Sequence, residues 1–500
     1  MRFLFSILTL AVTLISGSRF CAVAADAIIP EPIAQQHGMT RPWLTQADID
    51  HGRGRVRSMV LHDGVLYLQT DRATICAIDA QTGRQLWSKI IGQSDHFSLP
   101  PAASEDLLAV VNGTRLFVCN RFNGDVLLET EISGTPGGGP ALSSKFVYVP
   151  MVTGLVQAYR LEVVGDPAKE LGKISKKEMT PEEQAAAEQD RRENIRLRQE
   201  YVAPLACQSA GHALLPPVVL TQNNLEEFVA WSTDAGVLSI ARIDRKEARL
   251  LTIKHELKTD APIVSQPAYQ PPDPKVHGDV GVIYATSRDG HVYAVVEKSG
   301  EVLWKFPTTE PVVEPPAVIE DRVYVPTQLG GMFCLNAKNG KQYWWAPDIM
   351  HFVAASKQRV YGEDRSGQTI VLNAKTGAQI DVLPTQRLPI KLLNTETDRL
   401  YLATETGLVQ CLHEIELAKP LLYEESRRPV KEEEPEKPKL PVKKAGGGED
   451  RPRPKATPKP KAAPKDDADA EKPAKTPKKP LKKAVKAAKD AAAGDQGAAH

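Results

Sequence analysis

The stretch Gly64–Trp87, GVLYLQTDRATICAIDAQTGRQLW, predicts three short β-strands and decides the fold class. Val65–Gln69 and Ile75–Asp79 are rich in β-branched and apolar residues and are separated by a short turn. The tight turn at Gln81-Thr82-Gly83 leads into a third strand that ends at Trp87. One sheet of this size cannot bury its own faces, so copies of it must stack against one another.

The turn glycine recurs along the chain with a period close to forty residues. The step from Gly83 to Gly124 is 41 residues, and the steps from Gly300 to Gly340 and on to Gly377 are 40 and 37. Two degenerate copies fit the wide gap, around 146–161 and 228–255, and a last copy spans 399–412. This period, with three or four short strands per copy, predicts an all-β, eight-bladed β-propeller.

Three positions of the repeat are each set by a physical requirement. The turn residue takes a positive φ, which favours glycine at Gly83, Gly124, Gly300, Gly340 and Gly377. Four residues earlier stands a side chain that can accept hydrogen bonds from backbone N–H groups across the turn: Asp79, Asn120, Asn336 and Asn373. Four residues after the glycine stands an indole able to fill the wedge between neighbouring sheets: Trp87, Trp304 and Trp344.

Two copies depart from this pattern. Leu128 and Asp381 occupy the tryptophan position of the second and seventh copies, so we expect weaker contacts between blades there. The segment Ala77-x-Asp79-x-x-Thr82-Gly83-x-x-x-Trp87 resembles the tryptophan-docking motif of the PQQ-type (pyrroloquinoline-quinone-type) β-propeller repeat. The repeat pattern extends this resemblance over roughly residues 50–425, and the first blade alone carries the full motif.

The resemblance implies one of two functional classes. Quinoprotein dehydrogenases of the family hold pyrroloquinoline quinone and calcium in the central channel beneath an adjacent Cys-Cys disulfide. This chain has no adjacent cysteine pair and is shorter than those enzymes. The noncatalytic class includes the scaffolding lipoprotein of the outer-membrane β-barrel assembly machinery, and the sequence favours it.

Sequence-local catalytic motifs do not change this preference. The histidines form no H-x-x-x-H or H-E-x-x-H pair, and the chain contains no G-x-S-x-G elbow, Walker loop or D-x-D-x-D-G calcium loop. We therefore expect no catalytic, cofactor-binding or metal-binding residues, and a scaffold that binds envelope proteins. A quinoprotein-like oxidoreductase, with pyrroloquinoline quinone and calcium, and a binder of cell-wall polysaccharide or another polyanion are the alternatives.

The two ends of the chain have distinct compositions. Residues 1–25 resemble a secretory signal peptide, with Arg2 before an apolar core and small residues at a cleavage site, which predicts export to the periplasm or cell envelope. Cys21 raises lipidation as an alternative to simple export. The formal charge is +1, but residues 427–500 carry 21 Lys or Arg against 12 Asp or Glu, which gives +9 and leaves −8 for the rest.

That basic tail, 427–500, lacks aromatic residues and is dominated by Lys, Pro and Ala, a composition typical of disorder. It could bind an anionic polymer or lipid, whereas export argues against nucleic acid. Residues 26–50 contain three prolines, so we expect an irregular N-terminal arm in which Trp43 anchors the arm to the body. The propeller is expected over 51–426, with no transmembrane segment in the mature chain.

Two further expectations concern an insertion and the cysteines. Residues 163–202 form a polar insertion in which Thr180-Pro181-Glu182-Glu183 is a helix-start signature, predicting a helix of about five turns to Glu200. It is either a solvated helix or a partner-docking projection. The cysteines after residue 25 are predicted to be small core residues without disulfides: Cys76, Cys119, Cys207, Cys334 and Cys411.

Overall fold

Eight four-stranded antiparallel sheets make up the protein, as seen in a computed structural model that describes residues 28–50, 52–161, 203–222, 226–244 and 250–423. In seven sheets the four strands are consecutive in the chain and pair in that order, from the innermost strand to the outermost. Each such sheet is one blade, so the predicted all-β architecture and the predicted count of eight are confirmed.

The strands, numbered in chain order, are grouped by blade. Blade 1 is β2 Val56–His62, β3 Val65–Thr70, β4 Thr74–Asp79 and β5 Gln85–Ile90; blade 2 is β6 Ala102–Ala103, β7 Leu107–Asn112, β8 Arg115–Asn120 and β9 Val126–Glu131; blade 3 is β10 Ala141–Leu142, β11 Phe146–Pro150, β12 Leu155–Arg160 and β13 Leu205–Gln208; blade 4 is β14 Val218–Gln222, β15 Glu226–Ser232, β16 Val237–Asp244 and β17 Leu251–Lys258.

The second half of the chain continues the series. Blade 5 is β18 Ala268–Gln270, β19 Val282–Ser287, β20 His291–Val296 and β21 Val302–Pro307; blade 6 is β22 Ala317–Ile319, β23 Arg322–Thr327, β24 Gly331–Asn336 and β25 Gln342–Pro347; blade 7 is β26 His351–Ala355, β27 Arg359–Glu363, β28 Thr369–Asn373 and β29 Gln379–Leu383; blade 8 is β30 Ile390–Lys391, β31 Leu400–Ala403, β32 Leu408–Glu414 and β1 Met39–Gln46.

Blade 8 is built from both ends of the propeller. Its outermost strand is β1, which pairs antiparallel with β32, for example Trp43 with Cys411 and Leu44 with Gln410. The short helix α1 (Glu31–Gln36) precedes β1 and buries Ala34. The innermost strands of blades 8 and 1, β30 and β2, are in contact, as are those of successive blades from 2 to 6. The sheets therefore close into a ring.

This arrangement corrects the expectation for residues 26–50. The interpretation as an irregular arm is wrong for Met39–Gln46, because these residues complete a blade instead of packing beside one. Pro42 is tolerated because β1 is an edge strand and the pairing register shifts between Thr40 and Trp43.

Indole rings join neighbouring blades. In each case the ring of one blade lies over the turn glycine of the next and donates from Nε1 to a backbone carbonyl beside that turn. The donor and acceptor pairs are Trp43 with Ala80 O at 3.0 Å, Trp87 with Arg121 O at 2.9 Å, Trp304 with Ala337 O at 2.8 Å and Trp344 with Ala374 O at 2.9 Å. These contacts form the junctions of blades 8 with 1, 1 with 2, 5 with 6 and 6 with 7.

Tyrosines on the second strand of a blade reinforce two of these junctions. The hydroxyl of Tyr401 donates to Ala80 O at 3.3 Å, and the hydroxyl of Tyr284 donates to Ala337 O at 3.3 Å. Each of these carbonyls therefore accepts two hydrogen bonds from the preceding blade. Such buried, fully used acceptors fix how closely two sheets approach.

Several expectations concern residues outside the described ranges. They are the signal peptide at 1–25, the helical insertion at 163–202 and the basic tail at 427–500. In the ranges that the structure covers, no helix has both the length and the apolar character needed to span a bilayer.

Candidate functional site

The ring has two sides, defined by which connections leave from them. Because strands alternate in direction, turns between second and third strands leave from the same side as the connections to the next blade. We call this side the connection face. The turns between third and fourth strands, which carry the motif glycines, lie on the opposite side, together with residues 415–423.

The motif residues identified from the sequence lie in these outer turns, spread around the ring. Asp79 Oδ1 accepts hydrogen bonds from the backbone N–H groups of Gln81 and Thr82, at 3.1 and 2.7 Å. Asn120, Asn336 and Asn373 accept equivalent bonds in their own turns. The structure therefore assigns this set to blade assembly and does not bring it together into one site.

The motif glycines take the backbone conformation that their turns require. Gly83 has φ +70°, and a Cβ added there would lie 2.5 Å from the Trp43 ring. The same conflict exists between Gly124 and Trp87, Gly340 and Trp304, and Gly377 and Trp344. At Gly300 the facing side chain is His255, whose Nε2 lies 2.8 Å from Lys298 O. A histidine thus takes the tryptophan role between blades 4 and 5.

The central channel is a cavity of about 700 Å³ lined by the innermost strands. In six blades a proline immediately precedes the innermost strand: Pro101, Pro140, Pro217, Pro267, Pro316 and Pro389. Proline has no N–H, so it removes a donor from the free inner edge of the blade. The prolines therefore reduce the number of backbone donors along the channel rim, while Arg57, Ser58 and Gln266 place polar side chains there.

Charged side chains interrupt this rim at blades 7 and 8. Lys391 lines the channel and is buried, and its Nζ lies 2.6 Å from Glu363 Oε1 and 3.0 Å from Leu388 O. His351 begins the innermost strand of blade 7, and its Nδ1 lies 3.0 Å from Glu314 Oε2. These two pairs connect blade 7 with blades 8 and 6.

The hydrogen bond from Glu314 raises the pKa of His351 above its ordinary value, against the lowering effect of partial burial. Nearby Glu363 raises it further and Lys391 lowers it. The imidazolium form of His351 is therefore stabilised by the fold, next to the channel-lining Lys391.

The cysteines offer no activated nucleophile. All five described cysteines are free, and burial raises the pKa of the Cys119, Cys334 and Cys411 thiols to about 12 and that of Cys76 to about 11. A thiol with so high a pKa stays protonated at neutral pH and is a poor nucleophile. The prediction that these residues are unbridged core residues is confirmed, with Cys207 only partly buried.

A quinone cofactor held by calcium would need oxygen ligands for the metal and cations for its own carboxylates. Calcium takes six to eight oxygen ligands, and among the described residues no group of three or more His, Cys, Asp or Glu is placed to hold a metal ion. Two cations line the channel: the Lys391 ammonium is bound by Glu363 and Leu388 O, whereas the side chain of Arg57 is 59% exposed.

Exposed apolar side chains stand on the connection face. Phe97 lies between blades 1 and 2 and is 74% exposed, and Leu329 lies in a turn of blade 6 and is 67% exposed. Leu214, between blades 3 and 4, is 46% exposed. Large exposed apolar residues in the loops of a rigid scaffold are typical of a protein-binding surface.

Sequence reasoning missed both the channel charges and this surface. Glu314, His351, Glu363 and Lys391 come from three blades, and nothing local links them in the sequence. Phe97 and Leu329 lie outside the repeat motif, so their exposure became visible only when the loops were placed.

Comparisons with known proteins agree with the fold. The family model described as "Outer membrane protein assembly factor BamB", of the PQQ_2 type, matches residues 240–391. BamB from Moraxella catarrhalis superposes with a TM-score of 0.51 at 12% identity, over 75% of this chain and 97% of that one. The computationally designed Ika8 protein gives a TM-score of 0.50 at 12% identity, over 73% of this chain and 99% of that one.

One curated relative matches part of the chain. The 1-butanol dehydrogenase (quinone) of Thauera butanivorans is 25% identical over 115 residues, which are 21% of this chain. The match spans 18% of that enzyme's length. Together these findings confirm the resemblance: the ring is similar in fold to BamB, and residues 240–391 resemble the PQQ-type repeat.

Proposed function

We propose that this protein is a noncatalytic, exported scaffold of the cell envelope that binds partner proteins through its connection face. The exposed apolar side chains of Phe97, Leu214 and Leu329 on the connection face carry the proposal. A rigid ring suits this role because its loops hold a fixed geometry without ordering cost on binding. The similarity to the BamB family model supports the choice of a protein partner.

Site-specific photocrosslinking in intact cells tests the proposal. A photoreactive residue at Phe97 or Leu329 is expected to give discrete protein adducts, identified by mass spectrometry. Ile415 is the matched control, because it is 51% exposed and apolar but lies on the opposite side of the ring. Equal adducts at all three positions, or none at Phe97 and Leu329, would reject the connection face as the binding surface.

Export and tethering are separate parts of the proposal. Residues 1–25 direct export in this scheme, which the mass of the processed N-terminus tests, including any lipid on Cys21. The basic residues 427–500 act as a secondary tether to an anionic polymer or lipid. Deleting them is expected to weaken retention on an anionic matrix, and unchanged retention would dismiss the tether.

A quinoprotein-like oxidoreductase is the second candidate, favoured by the similarity to a quinone-dependent alcohol dehydrogenase. Its test is incubation of the purified protein with calcium and pyrroloquinoline quinone. Stoichiometric uptake together with dye-linked alcohol or sugar oxidation would replace the scaffold proposal. No uptake at micromolar quinone would remove this candidate.

A further inference from the structure

The junction between blades 7 and 8 is built differently from the indole junctions. Asp381 of β29 stands where other blades carry the docking tryptophan, and its Oδ2 lies 2.7 Å from His37 Nδ1. His37 directly precedes Gly38 and the strand β1 that completes blade 8. A partly exposed hydrogen-bonding contact therefore replaces the buried indole at the outer rim.

Blade 8 also lacks the turn on which an indole could dock. Its third and fourth strands, β32 and β1, come from opposite ends of the chain, so no turn connects them. In place of that turn, Ile415 N–H donates to Gly38 O at 3.1 Å, and Arg359 Nη1 of blade 7 donates to His37 O at 3.3 Å. Arg359 thus donates to a carbonyl before the fourth strand of blade 8, whereas the indoles donate to the carbonyl that directly follows a third strand.

Further charged contacts cross the same junction towards the channel. Arg359 Nε lies 3.8 Å from Glu414 Oε2, and Tyr361 donates to Glu414 Oε1 at 3.1 Å. Lys391 of blade 8 binds Glu363 of blade 7 at 2.6 Å. Charged or polar contacts therefore link blades 7 and 8 from the outer rim to the channel, beside a shared apolar core that includes Val371 and Leu412.

The physical properties of the two junction types differ. An indole contributes apolar burial and a buried hydrogen bond, which salt does not screen. The His37–Asp381 contact is partly exposed, with 21% and 35% of the two side chains accessible, and contacts of this kind are weak and screened by salt. From this contrast we propose that the junction of blades 7 and 8 is the opening point of the ring, a salt-sensitive seam whose outer rim is held by polar contacts in place of an indole.

Opening at this seam has a defined geometry. Blade 8 stays joined to blade 1 through Trp43, and the chain segment between β29 and β30 still links it to blade 7. The backbone hydrogen bond from Asn394 N–H to Val353 O crosses the seam and breaks on opening. The wall of the channel near Lys391 then becomes accessible from the side.

Thiol labelling of the full-length protein tests the seam. Val371→Cys places a thiol in the core shared by blades 7 and 8, while native Cys119 lies in the core shared by blades 1 and 2. Both positions are at most 1% exposed in the closed ring. In one sample, alkylation at position 371 is expected to be about tenfold faster than at Cys119 and to speed up at 1 M salt.

Two substitutions that each remove one carboxylate charge, one at each junction, provide the matched control. Asp381→Asn is expected to raise alkylation at position 371 about two- to fivefold. Asp125→Asn removes the ion pair with Lys89, 2.5 Å, which crosses the indole junction of blades 1 and 2, and is expected to leave Cys119 labelling unchanged. Equal labelling at the two positions, insensitive to salt, would overturn the proposal.

If the Val371→Cys protein does not fold, amide hydrogen exchange of the native chain tests the seam instead. Peptides containing Asn394 report on the seam, and peptides containing Val56, whose N–H donates to Glu405 O at 2.8 Å, report on the junction of blades 8 and 1. Faster exchange at Asn394 that increases with salt supports the seam. Equal or slower exchange at Asn394 contradicts it.

Discussion

Blade 8 contacts its two neighbouring blades through different kinds of side chain. On the side of blade 1, the buried Trp43 lies over Gly83 and donates to Ala80 O, while on the side of blade 7 the half-buried Asp381 contacts His37. The difference arises because blade 8 combines the first strand of the propeller with the last three. Blade 1 offers an intact turn for an indole, whereas blade 8 has two separate strand ends in place of one.

The largest expected effect comes from removing the closing indole. Trp43→Ala is expected to lower the free energy of unfolding by about 3–5 kcal/mol, because it leaves a cavity and removes one of the two hydrogen bonds to Ala80 O. Asp381→Ala, on the other side of the same blade, should cost at most about 1 kcal/mol. Urea unfolding followed by circular dichroism measures both. Similar losses for the two variants would contradict the proposed asymmetry.

The next largest effect is the loss of stability on substituting two turn glycines, and comparing them distinguishes backbone strain from a steric clash with the indole. Gly64→Ala is expected to cost about 1 kcal/mol, since Gly64 has φ +72° but no atom within 4 Å of an added Cβ. Gly83→Ala adds a clash with the Trp43 ring and should cost about 1–3 kcal/mol more. Thermal unfolding of the two variants gives the difference. Equal shifts in Tm would mean that the ring moves aside without cost.

The smallest expected effect is a pH dependence at the junction of blades 6 and 7. Because the folded pKa of His351 is raised by Glu314, this pair stabilises the fold below the ordinary histidine pKa and loses its contribution as pH rises through the raised value. With His351 about half exposed, we expect a few tenths of a kcal/mol.

Glu314→Gln provides the comparison for this pH effect. The variant should show a flatter dependence of the unfolding midpoint on pH from about 6 to 8 than the unmodified protein does. A steeper dependence in the variant, or an identical one, would show that the Glu314 contact does not stabilise the protonated imidazole.

Local rules explain what could be predicted. The turn glycine and the indole four residues after it can be recognised within a single copy of the repeat. The repeat, the blade count and the docking role of Trp87 therefore follow from the sequence. The seventh and second copies were recognised as exceptions for the same reason. No comparable local rule indicates which side chains from different blades meet in the channel.

The closing strand was missed because its evidence is split between distant segments. The last copy, around 399–412, has too few strands for a blade, which indicates that a strand must come from elsewhere. Gly38 precedes Trp43 by five residues instead of four, and the irregular register near Thr40 accompanies this change of spacing. His255 was missed because imidazole replaces indole there, and a search for tryptophan cannot find it.

The pairing of β1 with β32 has a consequence for biosynthesis. The backbone N–H of Ile29 donates to Gln410 Oε1, and the two residues are 381 positions apart in the chain. The first strand of the protein therefore cannot pair until almost the whole ring has been synthesised. Until then that strand exposes an unpaired edge and the indole of Trp43, a state that favours aggregation or capture by a chaperone. Completing the last blade is thus the step that commits a newly made molecule to its final form, and a product truncated before Leu408 cannot reach it.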